Sequence, residues 1–271
     1  MTTLQNQSSV RSLTLGAVRF TYVVDGAMAF PPAGFFPAVP LEAWVPGLLD
    51  DERMVPMSAG GLLVEIGERR VLIDAGFGPV QGRRPEGAVN CGSLLDTLAV
   101  LGHDPSTIDV VALTHLHADH VGWVGAFDRH VVGALEWKAA PLEALGNAVL
   151  VEDGDEVVPG VRAIVTPGHS PGHTSYLITS GSARLLAFGD AFHHPLQLTH
   201  VEWGSGPDWQ GDSVPVARRR LIEEMLVPGT FGFAFHFGDQ PFGRVTRGAD
   251  GTIAWNPVPS TVICGPPRLL V

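Results

Sequence analysis

Three histidines and an aspartate occur within one short segment, Thr114 to His120. The segment reads Thr-His-Leu-His-Ala-Asp-His and follows residues 109–113, whose last four residues are apolar and typical of a short buried strand. Imidazole is the commonest metal ligand in proteins, and zinc accepts mixed shells of histidine and aspartate. The pattern therefore predicts a metal site. The alternative is a polar loop whose histidines are solvated.

The spacing of these residues suits two cations better than one. In an extended segment, side chains two residues apart point to the same side, so His115, His117 and Asp119 can converge while His120 points elsewhere. One cation cannot easily take all four, whereas two adjacent cations can divide them into the pairs 115/117 and 119/120. The missing ligands must come from polar residues near other strand ends, and the candidates are His173, Asp190 and His236.

Four motifs along the chain resemble the metallo-β-lactamase superfamily. In chain order they are Thr-His-Leu-His-Ala-Asp-His ending at His120, Thr-Pro-Gly-His-Ser-Pro-Gly-His ending at His173, Phe-Gly-Asp ending at Asp190, and Phe-His-Phe around His236. The upstream sequence Leu-Ile-Asp-Ala-Gly-Phe-Gly, which contains Asp74, is also typical of that family. The resemblance covers nearly the whole chain and implies a metal-dependent hydrolase.

The resemblance also assigns the ligands. It implies that the first cation is bound by His115, His117 and His173, that the second is bound by Asp119, His120 and His236, and that Asp190 bridges both. His169 is then a structural residue or a hydrogen-bond partner of a ligand, and Asp74 orients a ligand by a hydrogen bond. Ordinary structure offers an alternative for each of four residues: turns at His173 and Asp74, a hairpin cap at Asp190, and a core histidine at His236.

The predicted centre indicates a hydrolytic mechanism. Two cations about 3.5–4 Å apart share a water and lower its pKa toward neutrality, so hydroxide is available at neutral pH. We expect this bridging hydroxide to attack a carbonyl or phosphoryl centre, with Asp119 as a candidate for orienting it. Zinc is the expected metal for both positions, and histidine and aspartate also accept manganese, iron, cobalt or nickel.

Within the superfamily, the chain is most similar to the lactonase and organophosphate hydrolase branch, which includes proteins like methyl parathion hydrolase. The features are Val-Asp25-Gly26, the Phe35-Phe36-Pro37 loop and the insertion after Asp190. We therefore expect cleavage of an ester, lactone or phosphotriester bond in a small apolar or aromatic substrate. Some lactonases of this branch have a tyrosine three residues after the bridging aspartate. Here that residue is His193, which either donates a proton or lines the pocket.

Three other interpretations use the same fold. They are a thioesterase-type hydrolase, a mononuclear iron dioxygenase resembling persulfide dioxygenases, and an accessory protein that uses the fold for binding. The intact ligand set argues against the accessory protein. Metal analysis and oxygen uptake separate the dioxygenase from a hydrolase.

Composition restricts the partners of the chain. The net charge is −11, with 17 Lys and Arg against 28 Asp and Glu, and this argues against binding nucleic acid, whose phosphates need a basic surface. Cys91 and Cys264 form neither a disulfide framework nor a thiolate cluster, and two free thiols fit a reducing compartment. Residues 1–15 lack the apolar core of a secretory signal, and no apolar stretch is long enough to span a membrane. We expect a cytoplasmic protein with a small-molecule substrate and no membrane partner, and the sequence leaves a homodimer open.

The candidate ligands follow short apolar segments in both halves of the chain. Strand-like runs such as residues 61–66, 70–73 and 161–165 are interleaved with amphipathic helical segments. This pattern predicts an α/β fold, an αββα sandwich of two mixed β-sheets flanked by helices. A single domain is expected over residues 1–271, with halves of about 1–150 and 151–271.

Individual elements are also predicted. Residues 94–101 form a helix with Ser93 as its N-cap, and residues 131–137 form a strand. A second helix covers residues 217–226, where three consecutive arginines from Arg218 begin a solvated face.

Two long segments, residues 27–56 and 193–215, fit neither strand nor helix. Loops of this length are usually functional or disordered, and their aromatic residues favour ordered walls or lids. The side chains that suit an apolar or aromatic substrate are Phe36, Trp44, Phe192 and Trp203.

Overall fold

The structure is a computed structural model that describes residues 3–266. Within this range the chain forms seventeen strands in two sheets and six α-helices. The first sheet contains β1 (Val10–Leu15), β2 (Val18–Phe30), β3 (Val55–Ile66), β4 (Arg69–Ile73), β5 (Gln81–Arg84), β6 (Gly87–Cys91), β7 (Val110–Ala112), β8 (His130–Gly133), β9 (Val149–Val151) and β17 (Thr261–Cys264). The second contains β10 (Glu156–Val158), β11 (Val161–Val165), β12 (Thr174–Ser180), β13 (Ala183–Ala187), β14 (Phe231–Phe233), β15 (Phe242–Arg247) and β16 (Ile253–Pro257). The helices are α1 (Pro32–Phe35), α2 (Leu94–Val100), α3 (Ala118–Val121), α4 (Ala134–Ala139), α5 (Leu196–Thr199) and α6 (Val214–Leu226).

Both sheets are mixed. The first has the order β17-β1-β2-β3-β4-β7-β8-β9, and β6 pairs with β2 and with β5. Its strands β4, β7, β8 and β9 run parallel to one another. The second has the order β10-β11-β12-β13-β14-β15-β16, with β13 and β14 parallel. The carboxyl ends of parallel neighbours meet at one edge of a sheet, where loops can bring side chains together.

The main core lies between the two sheets. Large side chains from both sheets are almost completely buried there, among them Phe20, Tyr22, Tyr176, Leu185 and Phe233. The outer face of the first sheet packs against Leu94 and Leu98 of α2, and the outer face of the second packs against Leu221, Ile222 and Met225 of α6. Burial of apolar area on both faces of each sheet favours this layered arrangement. The predicted αββα sandwich is confirmed.

Several predicted elements are confirmed with small changes at their ends. Residues 61–66 and 70–73 lie in β3 and β4, which form a hairpin, and the helix predicted at residues 94–101 is α2. Ser93 does not cap α2 with its side chain. Instead, the carboxylate of Asp25 accepts the Leu94 N–H at 2.8 Å. Asp25, which is distant in sequence, thus takes the capping role that was predicted for Ser93.

The strand predicted at residues 131–137 is wrong in its second half. β8 ends at Gly133, and α4 begins at Ala134. The β-branched residues end at Val132, and the following Ala-Leu-Glu-Trp-Lys-Ala consists mainly of strong helix formers. The chain therefore changes from strand to helix within the predicted element, and this turns the side chain of Glu136 inward, where it is 2% exposed.

Arg218 contradicts the predicted solvated face of α6, because it is completely buried at 0% exposure. The two long segments are also more regular than predicted. β2 extends to Phe30 and β3 begins at Val55, while α5 lies within residues 193–215. Cys91 and Cys264 are free thiols, as predicted. No helix among residues 3–266 combines the length and the hydropathy needed to cross a membrane.

Candidate metal centre

Four loops at one edge of the two sheets carry the histidines and aspartates. The first loop follows β7 of the first sheet and contains residues 114–120. The others follow strands of the second sheet: residues 166–173 follow β11, a 3-10 turn at Gly189–Ala191 follows β13, and His236 follows β14. The loops are joined directly, since the Thr174 N–H donates to the Thr114 carbonyl at 2.8 Å. Each side chain is therefore placed by a buried strand that ends at the site.

The loops bring seven side chains into two adjoining groups, and Asp190 lies between them. One group contains His115, His117 and His169, and the other contains Asp119, His120, Asp190 and His236. Asp190 Oδ2 faces the first group, 3.4 Å from His169 Nε2 and 3.9 Å from His115 Nε2. Asp190 Oδ1 faces the second, 3.2 Å from His120 Nε2 and 3.0 Å from His236 Nε2.

Three histidines of the centre, His115, His120 and His236, are oriented through their Nδ1 atoms. His120 Nδ1 lies 2.8 Å from Asp74 Oδ2, and His236 Nδ1 lies 2.9 Å from the Ser58 carbonyl. These oxygens can only accept, so each Nδ1 carries the proton and each Nε2 presents a lone pair to the centre. His115 follows the same rule, because the Thr114 hydroxyl that its Nδ1 contacts at 2.9 Å donates its own hydrogen to Asp74.

The buried polar atoms of this centre fit a metal. The side-chain atoms His115 Nε2, His120 Nε2, His236 Nε2 and Asp190 Oδ1 are buried, and none makes a hydrogen bond. A buried polar atom without a partner costs about 1–3 kcal/mol, so four at one point need an explanation. Imidazole nitrogens and carboxylate oxygens are the ligand atoms that zinc and similar cations take. The donor set is therefore suited to divalent cations.

The structure corrects the expectation for the two histidines of residues 166–173. His173 Nε2 accepts the backbone N–H of Asp190 at 3.0 Å, and its Nδ1 lies 2.8 Å from the Thr166 hydroxyl. Both ring nitrogens of His173 are thus used by the fold. His169, which was expected to be structural, has its Nε2 2.9 Å from His117 Nδ1 and belongs to the first group. The prediction of His173 as a ligand is wrong in this geometry.

Glycine at position 189 is required by this use of His173. Gly189 has a φ of +53°, and a Cβ there would lie 2.5 Å from His173 Nε2. A side chain would therefore be strained in its backbone and would collide with the ring. The close approach lets His173 support the turn that carries Asp190.

The electrostatics of the two groups differ. Burial lowers the pKa of His115 and of His117, and neighbouring histidines lower both pKa values further. Burial alone would also lower the pKa of His120, but the carboxylates of Asp190, Asp119 and Asp74 outweigh it and hold that pKa well above its usual value. Burial would raise the pKa of Asp119, yet His120 and His236 lower it to about 2. The second group thus has ionised carboxylates that favour positive charge.

Asp74 orients the first loop, as the sequence predicted. Its Oδ1 accepts the Thr114 N–H at 2.7 Å, and its Oδ2 contacts both the Thr114 hydroxyl and His120 Nδ1 at 2.8 Å. Asp74 has a φ of +64°, in the left-handed region that is uncommon for residues other than glycine. A carboxylate that fixes three donors holds the loop firmly enough to keep this conformation.

Two further buried carboxylates support the loops, and sequence reasoning did not assign them these roles. Asp25 accepts N–H groups from Phe77, Gly78 and Leu94 and the indole N–H of Trp123, at 2.8–3.0 Å. Glu136 accepts the Leu116 N–H at 3.1 Å, the Ser170 hydroxyl at 2.7 Å and the Gly172 N–H at 2.8 Å. Glu136 therefore ties the loop of His117 to the loop of His169.

A cavity of about 310 Å³ opens over the centre. Its polar lining comes from the centre and from His193, and its apolar lining comes from Met28, Phe30, Phe35, Met57, Phe77, Ala118 and Pro207. The aromatic residues predicted for this role lie elsewhere: Phe36 and Trp44 are buried in a cluster beneath the segment of residues 27–56, and Phe192 is buried against Phe188. Trp203 stacks on His200 with ring centroids 3.7 Å apart. The predicted apolar wall exists, but neighbouring residues form it.

His193 lies between the centre and the cavity. Its Nε2 is 3.0 Å from Asp190 Oδ2, and its ring meets the edge of Phe35 with centroids 5.3 Å apart. Its Nδ1 is buried without a hydrogen bond. His193 is thus within reach of both the centre and a molecule in the cavity.

Comparison with protein families supports the family resemblance inferred from the motifs. The family model described as the metallo-beta-lactamase superfamily matches residues 61–229. This range contains six of the seven side chains of the two groups, and His236 follows it by a few residues.

Curated relatives match about half of the chain. An N-acyl homoserine lactonase from Bacillus cereus is 32% identical over 155 residues, which are 46% of this chain and 59% of that protein. The N-acyl homoserine lactonase AttM from Agrobacterium fabrum is 29% identical over 150 residues, which are 46% of this chain and 55% of that protein. The chain therefore spans less than two thirds of the length of these relatives.

Solved structures match the fold over nearly the whole chain. AidC, described as a dizinc quorum-quenching lactonase in complex with a product, has a TM-score of 0.81 at 20% identity, covering 94% of this chain and 99% of that one. AbOPH, a hydrolase in the beta-lactamase superfamily, has a TM-score of 0.76 at 22% identity, with the same coverage. At these identities the likeness concerns the fold.

Proposed function

The chain belongs to the metallo-β-lactamase superfamily. From this premise we propose that it is a hydrolase with two divalent cations, of which zinc is the expected one. We propose that it cleaves an ester, lactone or phosphotriester bond. The observation that carries the proposal is Asp190, whose two oxygens face different groups of ligand atoms, 3.4 Å from His169 and 3.0 Å from His236. A carboxylate in that position is suited to bridge two cations.

The ligand sets follow from the two groups. We assign His115, His117 and His169 to the first cation, and Asp119, His120 and His236 to the second, with Asp190 shared. Such a pair of cations polarises the bond to be cleaved and lowers the pKa of a bound water toward neutrality.

Asp119 is assigned to orient the attacking water. It lines the cavity, and its Oδ2 lies 3.6 Å from His120 Nε2 and 3.8 Å from His236 Nε2. With a pKa of about 2 it is a carboxylate at neutral pH, so it accepts a hydrogen bond from water on the cavity side.

His193 is assigned to donate a proton to the leaving group. Its ring lines the cavity, and its Nε2 lies 3.0 Å from Asp190 Oδ2. A group in this role must lie within hydrogen-bond reach of the proton acceptor. The alternative, a purely spatial role for the ring, is separated by His193→Phe, which keeps an aromatic ring and removes the proton.

The substrate is proposed to be small, with an apolar part. The apolar side of the cavity contains Met28, Phe30, Phe35, Met57 and Phe77, whereas the polar groups are concentrated at the centre. This division suits a molecule with one polar reacting bond and an apolar body. The N-acyl homoserine lactonases among the relatives support a lactone within this range.

The test is a panel of lactone, aryl ester, thioester, phosphotriester and β-lactam substrates on protein of known metal content. We expect about two metals per chain, hydrolysis that chelation abolishes and added zinc restores, and a loss of at least about 100-fold in Asp190→Ala or His117→Ala. His200→Ala is the matched control, since His200 is partly exposed and outside the centre. Full activity in the Asp190 or His117 variants would overturn the proposal, and oxygen uptake with one iron per chain would favour the dioxygenase.

A further inference from the structure

The segment that follows Asp190 returns to the centre through Asp208. Asp208 Oδ1 lies 2.9 Å from Nδ1 of His169, and both side chains are at most 5% exposed. The adjoining backbone follows the same loop, since Trp209 N–H donates to the His169 carbonyl and Gln210 N–H donates to the Gly168 carbonyl, both at 3.0 Å. Asp208 is therefore held against Nδ1 of His169, whose Nε2 faces the centre.

Asp208 is itself fixed on its second oxygen. Oδ2 accepts the Ser205 N–H at 2.7 Å, and the Asp208 N–H donates to the Ser205 carbonyl at 3.1 Å. These two bonds close a short turn around the carboxylate. The direction of Oδ1 toward His169 is thus determined by the turn and does not depend on a flexible side chain.

Arg218 of α6 holds the whole segment in place. Its Nε donates to the Ala191 carbonyl at 2.7 Å, and its Nη1 donates to the carbonyls of Val201 and Trp203 at 2.9 and 2.7 Å. Its Nη2 lies 3.8 Å from Asp208 Oδ2 and makes no hydrogen bond. Burying a charge is costly unless its hydrogen bonds are satisfied. A completely buried guanidinium that donates to three carbonyls of one segment is therefore unusual.

We propose that Asp208 and Arg218 are positioning residues for the centre. Asp208 keeps the proton of His169 on Nδ1, so that Nε2 presents its lone pair toward His117 and Asp190. Arg218 keeps the segment of residues 191–208 folded so that Asp208 reaches His169. The inference rests on the proposed function, because it concerns a histidine assigned to a cation.

The test measures zinc affinity by competition with a chelator of known affinity. Loss of the partner of a metal-bound histidine typically weakens binding about 10- to 100-fold. We expect Asp208→Ala to weaken one zinc equivalent by that factor and to leave the other within about threefold of the wild type. Asp208→Asn keeps an acceptor oxygen, so it should lose less affinity than Asp208→Ala. The matched control is Asp212→Asn, an exposed carboxylate four residues further along the chain.

A second readout separates positioning from a general effect on folding. In ¹⁵N-labelled metal-free protein, the His169 ring should be an Nδ1–H tautomer in the wild type and in Asp212→Asn, and should lose that preference in Asp208→Ala. Arg218→Lys should weaken the same zinc equivalent as Asp208→Ala, with Arg219→Met as its exposed control. Unchanged zinc affinity and tautomer in the Asp208 variants would overturn this inference. A wild type that binds no zinc would instead overturn the proposed function.

Discussion

The loop of residues 114–120 and the loop of residues 166–173 carry five of the protein's histidines, but they use them differently. In the first loop, all three histidines lie at the centre, together with Asp119. In the second loop, only His169 lies at the centre, whereas His173 makes hydrogen bonds within the fold. The first loop ends within α3, whereas the second makes a Ser-Pro-Gly turn and enters β12. The turn rotates the second histidine away from the first.

A proposed ligand and a structural histidine differ here in the hydrogen bonds that their ring nitrogens make. His120 uses only Nδ1, in its bond to Asp74, and leaves Nε2 without a partner. His173 uses Nδ1 toward Thr166 and Nε2 toward the Asp190 N–H. Spacing in the sequence does not show this difference, because a hydrogen bond from a residue seventeen positions away decides it.

The largest effect that tests this comparison is expected for His169→Ala. The variant should lose one zinc per chain and at least about 100-fold in hydrolysis, more than the loss of an outer hydrogen-bond partner causes. Metal content after dialysis and kcat/KM on the best substrate of the panel measure both effects. Two tightly bound zinc ions in His169→Ala would contradict the assignment and restore His173 as the candidate.

A smaller effect is expected from Asp74→Asn in the first loop. The amide can replace the carboxylate as an acceptor for His120 but not for all three donors at once, so zinc binding should weaken about 10- to 100-fold. Chelator competition measures this change. The exposed Asp96→Asn on α2 is a control that should bind zinc like the wild type. Equal affinity in both variants would mean that the first loop keeps its shape without Asp74.

His173→Ala should mainly reduce stability. The change leaves the Asp190 N–H without its partner and removes one of the partners of the Thr166 hydroxyl, and an unsatisfied buried group costs about 1–3 kcal/mol. Urea unfolding of the metal-free protein measures the loss of unfolding free energy, and metal analysis should still find two zinc ions per chain at saturating zinc. Loss of one zinc with unchanged stability would reverse the roles of the two histidines.

Glu136→Gln tests whether the two loops are held as a unit. The glutamine keeps the shape but presents one amide nitrogen where Glu136 accepts from Leu116 or from Ser170 and Gly172, so a loss of about 1–3 kcal/mol in unfolding free energy is expected. Urea unfolding compares this variant with Glu143→Gln, whose carboxylate is exposed. Equal stability of the two variants would show that the loops are positioned independently.

The smallest effect concerns His194, another histidine used by the fold. Burial lowers its pKa to about 3, so the folded protein keeps it neutral, whereas the unfolded chain protonates it near pH 6.5. The unfolded state then binds more protons as the pH falls below 6.5, and stability decreases by about 1.4 kcal/mol at pH 5.5 from this residue. His194→Asn keeps an acceptor for the Leu196 N–H and should lose about that much less stability between pH 7.5 and 5.5. Parallel pH dependence in both metal-free proteins would contradict this account.

The sequence predicted the residue types of the centre and the strands that precede them, because apolar runs and dense polar motifs are local signals. It did not distinguish His169 from His173, since both follow Pro-Gly in nearly the same local context. Arg218 and Asp208 were also missed. Arg218 begins a run of three arginines that is typical of a solvated face, and its burial depends on carbonyls fifteen to twenty-seven residues away. Glu136 was missed because its segment was predicted as a strand.

Asp190 has a consequence for the two sheets as well as for the reaction. Each group of ligands takes side chains from loops of the first sheet and from loops of the second. Bound cations would therefore cross-link the two sheets along the seam where these loops meet. A cation at about 1,000 times its dissociation constant adds about 4 kcal/mol to the folded state, so scarcity of metal would loosen this seam as well as stop catalysis.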